Sequence, residues 1–384
     1  MPFKIIAKDT KTSARRGLLA TPHGPVETPA FMPVATKGSV KTISPDELRQ
    51  VGTQAIIANA LHLYIRPGHE KVALAGGLHK FMRWDGAIFT DSGGFQVIRK
   101  AFGIRISEEG LTFRDFYSGA QRLYTPELCM ETQKALGSDI AMLLDDCPVH
   151  DAQAEKIRDV VERTLRWAKR GILRGRELGI PNLFAIVQGG RNFDLRKHCT
   201  EELLKLEPDG FGIGGLSIGE SKPEMIRILR ETTHLLPEDK PRYLMGVGSV
   251  NEILDSIALG VDVFDSVFPT QCARHGTIFT REGRYNMKSA KLESDLRPLD
   301  ESCACPVCRG GGGEFTRAYI NHLLREGEML GMRLTSIHNV FFLLDLVAQA
   351  RAAITEGRFE EFRQKRTIKY NESSSEEKDL ARAG

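Results

Sequence analysis

Residues 183–190 read Leu183-Phe184-Ala185-Ile186-Val187-Gln188-Gly189-Gly190, five apolar residues followed by one polar residue and two glycines. A near-continuous apolar run of this length is typical of a strand that is buried on both faces of a parallel sheet. Seven further short runs of the same kind occur along the chain, so the sequence predicts eight such strands. The other seven are residues 31–34, 55–58, 87–90, 140–144, 211–213, 243–245 and 261–264.

Helical patterns lie between these runs. Residues 45–51 follow Ser44, a residue type favoured at helix N-caps, and residues 152–178 form a long, amphipathic, Arg-rich pattern. Two further helical patterns, residues 222–236 and 250–259, closely follow their strands. Eight alternations of strand and helix predict an α/β protein with a (β/α)8 TIM barrel. A doubly wound open sheet is the alternative that the same alternation could build.

Three segments do not fit the alternation. Residues 3–30 contain Gly and Pro breaks between short alternating runs, which predicts a small N-terminal antiparallel cap. Residues 104–124 read as a hairpin inserted after the third strand, and residues 270–338 hold a cluster of cysteines. We therefore expect a single barrel domain over residues 1–371 with these attachments, then a disordered, Ser- and charge-rich tail at residues 372–384.

The overall composition is that of an ordinary soluble protein. The net charge of +3 comes from 53 basic and 50 acidic residues, so it neither requires nor excludes a nucleic-acid partner. No run approaches the ~18 consecutive apolar residues of a membrane span, and no secretory signal precedes Thr21, so a cytoplasmic location without membrane contact is expected. Seven cysteines, an odd number, argue against a disulfide framework.

Three of the cysteines form a C-x-C-x-x-C pattern, which predicts a metal site. They are Cys303, Cys305 and Cys308. Tetrahedral zinc needs a fourth ligand, and both His322 and His338 follow the cluster. His322 lies in the amphipathic run 317–328, whereas Gly331 is expected to break that helix before His338. Spacing alone does not choose between the two histidines, but either completes a closed, structural zinc (Zn2+) site.

Carboxylates follow three of the predicted strands. Asp91 comes after the third strand, Asp145 after the fourth, and Asp265 ends the eighth. A single aspartate in such a position is often a helix N-cap or a turn former. In a barrel, however, the carboxyl ends of the strands meet on one face and carry the catalytic groups. Two carboxylates there suit glycosidic chemistry with retention, in which one attacks the anomeric carbon and the other transfers protons.

Glycine follows two other predicted strands. Gln188 precedes a Gly-Gly pair after the fifth strand, and Gly214 and Gly215 precede Leu216 after the sixth. Glycines at strand ends allow a flat ligand to approach backbone amides. No G-x-x-x-x-G-K-[ST] motif occurs, so nucleoside triphosphate chemistry has no support.

Several longer stretches resemble the tRNA-guanine transglycosylases of the bacterial, zinc-containing type. The stretches are residues 91–97 (DSGGFQV), 214–220 (GGLSIGE), 243–248 (YLMGVG), 261–267 (VDVFDSV), 317–322 (RAYINH) and 337–339 (IHN). The resemblance extends from about Lys8 to about Tyr370, which is nearly the whole chain.

The resemblance implies a role for each matching residue. Asp265 corresponds to the nucleophile that bonds covalently to the ribose, and Asp91 to the general acid/base. The fourth zinc ligand corresponds to His338 rather than His322. The residues implied to hold the base are Asp91, Ser92, Phe95, Asp145, Cys147, Gln188, Gly215, Leu216 and Met245.

The implied reaction replaces the guanine at the wobble position of GUN-anticodon tRNAs (Asp, Asn, His, Tyr) with 7-aminomethyl-7-deazaguanine. The implied partners are the tRNA anticodon stem-loop, the 7-deazaguanine base and a second copy of the chain in a homodimer. Insertion of queuine is the alternative reaction, and relatives that accept this larger base have glycine where Ile218 stands. A catalytically silent tRNA-binding partner subunit is disfavoured because both Asp91 and Asp265 are present. A sugar glycosidase is disfavoured by the cysteine cluster.

Two positions depart from the family pattern. Gln271 stands where bacterial members usually carry an arginine that reads the anticodon loop, although Arg274 is retained. We expect both residues to contact RNA, with altered reading of the base beside the target. The second departure is a glycine-rich stretch, residues 310–313, which lengthens the loop after Cys308.

Overall fold

The chain begins with a small antiparallel sheet. In the computed structural model, which describes residues 3–94, 104–115, 117–147, 152–216, 219–309 and 315–367, this sheet has three strands. They are β1 (Phe3–Lys8), β2 (Arg15–Leu19) and β3 (Val26–Thr28). Alternate residues of β2 and β3 are buried, so one face of the sheet packs on the rest of the protein. The predicted N-terminal antiparallel cap is therefore confirmed.

Eight parallel strands follow and form the central barrel. They are β4 (Ala30–Pro33), β5 (Ala55–Asn59), β6 (Ala87–Asp91), β10 (Ile140–Met142), β11 (Leu183–Val187), β12 (Gly210–Ile213), β13 (Arg242–Leu244) and β14 (Val263–Ser266). Neighbouring strands pair in the order β4-β14-β13-β12-β11-β10-β6-β5. A parallel bridge between Val34 and Ile57, with the amide of Ala35 donating to Ile57 at 2.7 Å, joins the two outer strands. The predicted (β/α)8 barrel is therefore confirmed, and the open sheet is excluded.

The interior of the barrel is filled by side chains from alternating strand positions. Phe89 packs edge-on against both Phe184 and Tyr243, with ring centroids 6.0 Å apart in each pair. Met32 and Met142 belong to the same buried cluster. A second and larger apolar cluster lies between the strands and the surrounding helices. The strands are thus buried on both faces, which is why their sequences read as continuous apolar runs.

The helices account for most of the remaining chain. They are α1 (Pro45–Gln50), α2 (Ala60–Ile65), α3 (His69–Leu74), α4 (Gly77–Met82), α5 (Pro126–Leu136), α6 (Ala154–Glu177), α7 (Phe193–Leu204), α8 (Lys222–Leu235), α9 (Val250–Ala258), α10 (Phe268–Arg274), α11 (Pro306–Arg309), α12 (Arg317–Arg325), α13 (Met329–Thr355) and α14 (Phe359–Arg366). Ser44 and Glu47 form a capping box at α1, which stabilises such a helix by about 1 kcal/mol. The predicted helices at residues 45–51, 152–178, 222–236 and 250–259 are confirmed to within two residues at each end.

The segment after the third barrel strand is a small three-stranded sheet of β7 (Arg105–Ile106), β8 (Leu111–Arg114) and β9 (Gln121–Tyr124). Arginines of α6 anchor it and the neighbouring α5. Arg166 binds Glu108, and Arg170 binds Glu127, each at 2.6 Å. The Arg-rich face of α6 therefore has structural partners of its own.

Near the C-terminus, the hairpin of β15 (Thr277–Thr280) and β16 (Gly283–Asn286) precedes the cysteine cluster, and α13 follows it. The expectation that Gly331 ends a helix is wrong. Gly331 lies inside α13, and the break comes earlier, at Gly327 with φ 76°. A Cβ atom at Gly331 would lie 2.9 Å from Cβ of Leu323, so the glycine permits close packing of α13 on α12.

The helix α13 is a core element. It packs against β1, β2, β4 and α10, and Arg351 on it donates to the carbonyl of Pro29 at 2.7 Å. Within the described ranges, α13 is the one helix long and apolar enough to cross a membrane, and two-thirds of its most apolar stretch is buried inside the protein. Burial of this kind accounts for its apolar sequence without a bilayer.

Candidate active site and metal centre

A cavity of ≈ 480 Å³ opens at the carboxyl ends of the barrel strands. It brings together eight of the predicted site residues from six different strands or the loops that follow them. The eight are Asp91, Asp145, Cys147, Gln188, Gly215, Leu216, Met245 and Asp265. Ser92 is fully buried beside the cavity rather than in its lining, and Phe95 lies outside the described residues.

Asp265, on β14, has two hydrogen-bond donors among the described residues. The hydroxyl of Tyr243 donates to Oδ1 at 2.6 Å, and the amide of Gly246 donates to the same oxygen at 2.9 Å. Burial raises the pKa of Asp265, and these two donors act in the opposite direction by stabilising the carboxylate. Both donors approach one oxygen, so the carboxylate is oriented and the other oxygen, Oδ2, is left for attack on a carbon centre.

Asp91, at the end of β6, is oriented by the neighbouring strand. Asn59 pairs with it in register at the end of β5, and Asn59 Nδ2 donates to Asp91 Oδ2 at 2.8 Å. The other side-chain atom of Asn59 accepts from the amide of His62 and so caps α2. The capping interaction fixes the amide group, which in turn fixes the position of the Asp91 carboxylate.

Asp145 is a buried acid, and no lysine or arginine in the described part of the chain is paired with it. Burial, the charge of Asp91 and the charge of Asp146 raise the pKa of Asp145 to about 7, although a hydrogen bond from Gln188 opposes the rise. Gln188 Nε2 donates to Asp145 Oδ2 at 2.7 Å. Asp146, by contrast, is bound by Arg163 at 2.5 Å and is not part of the cavity lining. Only the first of these two adjacent aspartates is therefore presented to a ligand.

Glycine is required at two points around Asp145 and Gln188. Gly215 has φ +67°, and a Cβ atom there would lie 2.9 Å from Gln188 Oε1. A Cβ atom at Gly94 would lie 2.4 Å from Asp145 Oδ1. Gln188 Oε1 is buried and has no hydrogen-bond partner in the described part of the chain. The cavity lining therefore includes Gln188, which carries an unpaired buried acceptor, the carboxyl group of Asp145, and Gly215.

A buried arginine supports both glycine-rich strand ends from behind. Arg196, on α7, donates from Nε to the carbonyl of Gly190 at 2.7 Å and from Nη2 to the carbonyl of Gly214 at 3.0 Å. Burial lowers the pKa of Arg196 to about 10, so the group still carries its charge at neutral pH. Its role is to hold two loops of the cavity at a fixed separation.

Apolar side chains form part of the remaining cavity wall, beside polar ones such as Thr36 and Ser266. Leu216 and Met245 lie on two of its sides, and Cys147 lies close to Asp145. Burial raises the pKa of the Cys147 thiol well above its usual range, so at neutral pH it is a neutral thiol rather than a nucleophilic thiolate.

The two predicted RNA-binding residues lie on α10, which begins three residues after Asp265. Gln271 and Arg274 are both partly exposed. Nη1 of Arg274 is buried and has no hydrogen-bond partner among the described residues, and burial lowers the pKa of this arginine.

Cys303, Cys305, Cys308 and His338 form a group that could hold a metal ion. Their donor atoms lie within 4.8 Å of one another, and all four residues are buried. His338 Nδ1 is 3.5 Å from Sγ of Cys305 and 3.4 Å from Sγ of Cys308, while its Nε2 donates to the carbonyl of Phe279 at 2.8 Å. That hydrogen bond fixes the tautomer that leaves Nδ1 free to bind a metal. His322 is exposed on α12, so the geometry selects His338.

Sequence reasoning missed three residues that shape the site: Asn59, Tyr243 and Arg196. Asn59 directly follows a predicted apolar strand, the same signal that identified the aspartates. Tyr243 lies inside a predicted strand and reads as a core aromatic, and Arg196 lies in a charged helical stretch and reads as a surface residue. Neither of the latter two has a signal in the sequence that would distinguish it.

Comparison with known proteins gives one consistent result. The family model described as queuine tRNA-ribosyltransferase matches residues 9–372 of the chain. A queuine tRNA-ribosyltransferase of Bacillus velezensis is 51% identical over 362 residues, which cover 94% of this chain and 94% of the relative. Proteins of the same name from Bacillus subtilis (94% of each chain) and Desulforudis audaxviator (93% of this chain and 95% of the relative) are each 50% identical to it.

Proposed function

Because the chain belongs to the queuine tRNA-ribosyltransferase family, we propose that it is a tRNA-guanine transglycosylase of queuosine biosynthesis that works in the barrel cavity. The assignment of this site rests on two groups of residues that line one cavity. An oriented carboxylate, Asp265, shares one cavity with a set of acceptors and amides around Asp145 and Gln188 that suits the edge of a purine.

Asp265 acts as the nucleophile. Its carboxylate attacks C1′ of the ribose, a C–O bond forms to the carboxylate, and the C–N bond to guanine breaks. Asp91 supplies a proton to the departing purine, and Asn59 holds that acid in place. In the second half Asp91 accepts a proton from the incoming base, whose nitrogen attacks C1′ and displaces Asp265. Two displacements at one carbon retain its configuration.

The purine is read along one edge. The Asp145 carboxylate accepts hydrogen bonds from the ring N–H and the exocyclic amine of the base, in exchange for the one from Gln188. Gln188 Nε2 and the amide of Gly215 then donate to the carbonyl oxygen of the base. Met245 covers one face of the base. The family resemblance assigns the other face to Phe95, which lies outside the described residues.

The tRNA lies across the mouth of the cavity with the wobble guanine of a GUN anticodon inserted. Arg274 takes a phosphate of the anticodon loop, and Gln271 lies beside it in place of the usual arginine. Basic residues of the β15–β16 region extend this face, with Lys288 and Lys291 both exposed. Two basic side chains of α14 are neutralised within the chain, Arg363 by Glu360 and Asp255 and Lys365 by Glu361, so they are not part of the RNA-binding face. The active form is a homodimer in the cytoplasm.

The metal held by the Cys3His cluster is a structural Zn2+. Three thiolates and one imidazole fill all four positions of a tetrahedral zinc, so no position is open for substrate. Because binding such an ion contributes directly to local folding, Cys308→Ala is expected to lose the zinc and weaken tRNA binding. Metal analysis of purified protein tests the assignment, and one zinc per chain retained in Cys308→Ala would contradict it.

The incoming base is 7-aminomethyl-7-deazaguanine. Ile218, which lies outside the described residues, is a branched side chain where queuine-accepting relatives have glycine. Ser217 and the stretch 219–222 resemble the queuine-accepting segment instead, so queuine is the competing candidate. Competition of each base against radiolabelled guanine in tRNA distinguishes the two, and Ile218→Gly should gain queuine use. Preference of the wild type for queuine would overturn the assignment.

The activity itself is tested by mass spectrometry of nucleosides after incubation of the protein with unmodified tRNA and 7-aminomethyl-7-deazaguanine. The deazaguanine nucleoside should appear, and free guanine should be released in equal amount. The Asp265→Asn variant is the control and should give neither product. Absence of both products with the wild type would contradict the proposed function and favour a silent tRNA-binding subunit.

A further inference from the structure

A second group of metal-ligand residues lies at the opposite end of the barrel from the cavity. It consists of His23, in the turn between β2 and β3, His79 on α4, and Asp139, which directly precedes β10. One nitrogen of each imidazole and one oxygen of the carboxylate lie within 4.8 Å of one another. The cluster joins the N-terminal cap, a helix and a barrel strand.

The three side chains converge on one point. His23 Nδ1 lies 2.8 Å from Asp139 Oδ1, and His79 Nε2 lies 3.2 Å from Asp139 Oδ2. The two imidazole rings are stacked, with centroids 3.4 Å apart and planes 17° from parallel. The carbonyl oxygen of Gly86 lies 3.1 Å from the same nitrogen of His79.

The charges of the cluster suit a cation. The Asp139 side chain is completely buried, and no lysine or arginine in the described ranges pairs with it. Burial raises its pKa, but hydrogen bonds from His79, His23 and the amide of Ile88 override that effect, so the pKa of Asp139 is lowered and it is a carboxylate. The two stacked imidazoles therefore lie against a buried negative charge.

We propose that His23, His79 and Asp139 form a second divalent-cation site, of the borderline type that accepts Zn2+. Two imidazoles and a carboxylate are ordinary zinc ligands at bond lengths of about 2.0–2.2 Å, which require donor atoms spaced about as these are. The amino-terminal end of a barrel serves stability rather than catalysis. The bound ion links the N-terminal antiparallel cap to the amino-terminal end of the barrel.

Zinc titration of the full chain, with the Cys3His cluster already filled, tests the site by calorimetry. The wild type should bind a further equivalent of Zn2+, and its thermal unfolding midpoint should rise with zinc concentration. His23→Gln should bind that equivalent at least tenfold more weakly and lose the shift. The matched control is His198→Gln, which alters another histidine–carboxylate pair, with Glu162, of nearly equal exposure (42% against 40% for His23).

The partly exposed His23 makes the test independent of folding, because its replacement removes a ligand without opening the core. Asp139→Asn is the second variant and should also abolish the further equivalent. If the wild type binds no zinc beyond the Cys3His ion, or if His23→Gln binds it as the wild type does, the three side chains form a hydrogen-bonded group only and the proposal fails. Loss of the extra equivalent in His198→Gln would overturn it as well.

Discussion

The acids at the two ends of the barrel are in opposite electrostatic situations. At the carboxyl end, burial raises the pKa of Asp145 to about 7 and also raises that of Asp265. At the amino end, Asp262 makes two hydrogen bonds to the guanidinium of Arg15, at 2.6 and 2.9 Å, and hydrogen bonds lower the pKa of Asp139. All four are aspartates near the ends of barrel strands. Among the described residues, Asp262 is paired with the guanidinium of Arg15 and Asp139 with two imidazoles, whereas Asp145 and Asp265 accept hydrogen bonds from neutral donors only.

The difference indicates what each end is for. An acid that is buried without a cation destabilises the fold unless it is protonated, so its retention points to a substrate that supplies the missing donors. An acid with a full set of partners contributes to the fold itself. Substitutions at the carboxyl end of the barrel, its mouth, should therefore reduce activity and leave stability nearly unchanged. Substitutions at the amino end, its floor, should reduce stability and leave activity nearly unchanged.

The largest effect is expected from Asp265→Asn. The amide is a poor nucleophile of almost identical shape, so kcat should fall by about 10³-fold or more while the protein stays folded. A denaturing gel should show a covalent tRNA adduct with the wild type and none with the variant. An adduct that persists in Asp265→Asn would assign the role of nucleophile to another carboxylate. It would also contradict the view that Asp265 is present for catalysis.

At the floor, Asp262→Asn should act on stability alone. It leaves the buried guanidinium of Arg15 uncompensated, which lowers the free energy of unfolding by about 3–5 kcal/mol. Denaturant unfolding measures the loss, and kcat/KM of the folded fraction should equal that of the wild type. Asp85→Asn, which breaks an exposed pair with Arg49, is the control and should change stability by about 1 kcal/mol or less. Equal losses in both variants would contradict the comparison.

The pH dependence of base binding should reflect Asp145. Its ionised form accepts hydrogen bonds from the base, and its pKa is raised to about 7. As the pH falls below 7 the carboxyl group gains a proton and loses that capacity, so affinity for guanine should decrease about tenfold for each further pH unit. Equilibrium binding of the free base between pH 5 and 8 measures this, and Asp145→Asn should show weak, pH-independent binding. A wild-type profile that is flat over this range would show that Asp145 does not read the base.

The smallest effect is expected from Tyr243→Phe. Loss of one hydrogen bond to Asp265 should lower kcat about tenfold with little change in KM for tRNA. The pKa of Asp265 should also rise, because a donor that stabilises the carboxylate is gone, so the acidic limb of the kcat–pH profile should move to higher pH. A merely structural tyrosine would change stability and leave that limb in place.

The eight strands and the acids that follow them could be predicted from sequence because both follow local rules. A strand buried on two faces must be apolar, and Asp91, Asp145 and Asp265 each interrupt or follow such a run. The roles of Tyr243 and Arg196 could not be predicted in the same way. Their partners, Asp265 for the first and the Gly190 and Gly214 carbonyls for the second, are distant in sequence and meet them only when the barrel closes.

The prediction at Gly331 failed for a related reason. Glycine is most often read as a helix terminator because of its backbone freedom, whereas here the absence of a side chain allows α13 to approach Leu323 on α12. Which property of glycine is used depends on the neighbour that packs against it, and that neighbour is set by tertiary structure. The cysteine cluster was predictable because its three thiols are adjacent in sequence, but the choice of His338 needed the fold or the resemblance.

The packing of α13 has a consequence for biosynthesis. The first strands to leave the ribosome, β1, β2 and β4, rest against a helix that is among the last segments made, and Arg351 of that helix binds the carbonyl of Pro29. At elongation rates of about 5–20 residues per second, these strands wait roughly 20–70 s for this partner. The N-terminal segment therefore cannot complete its folding cotranslationally, and a transcript truncated before α13 should yield a chain that depends on chaperones and is rapidly degraded.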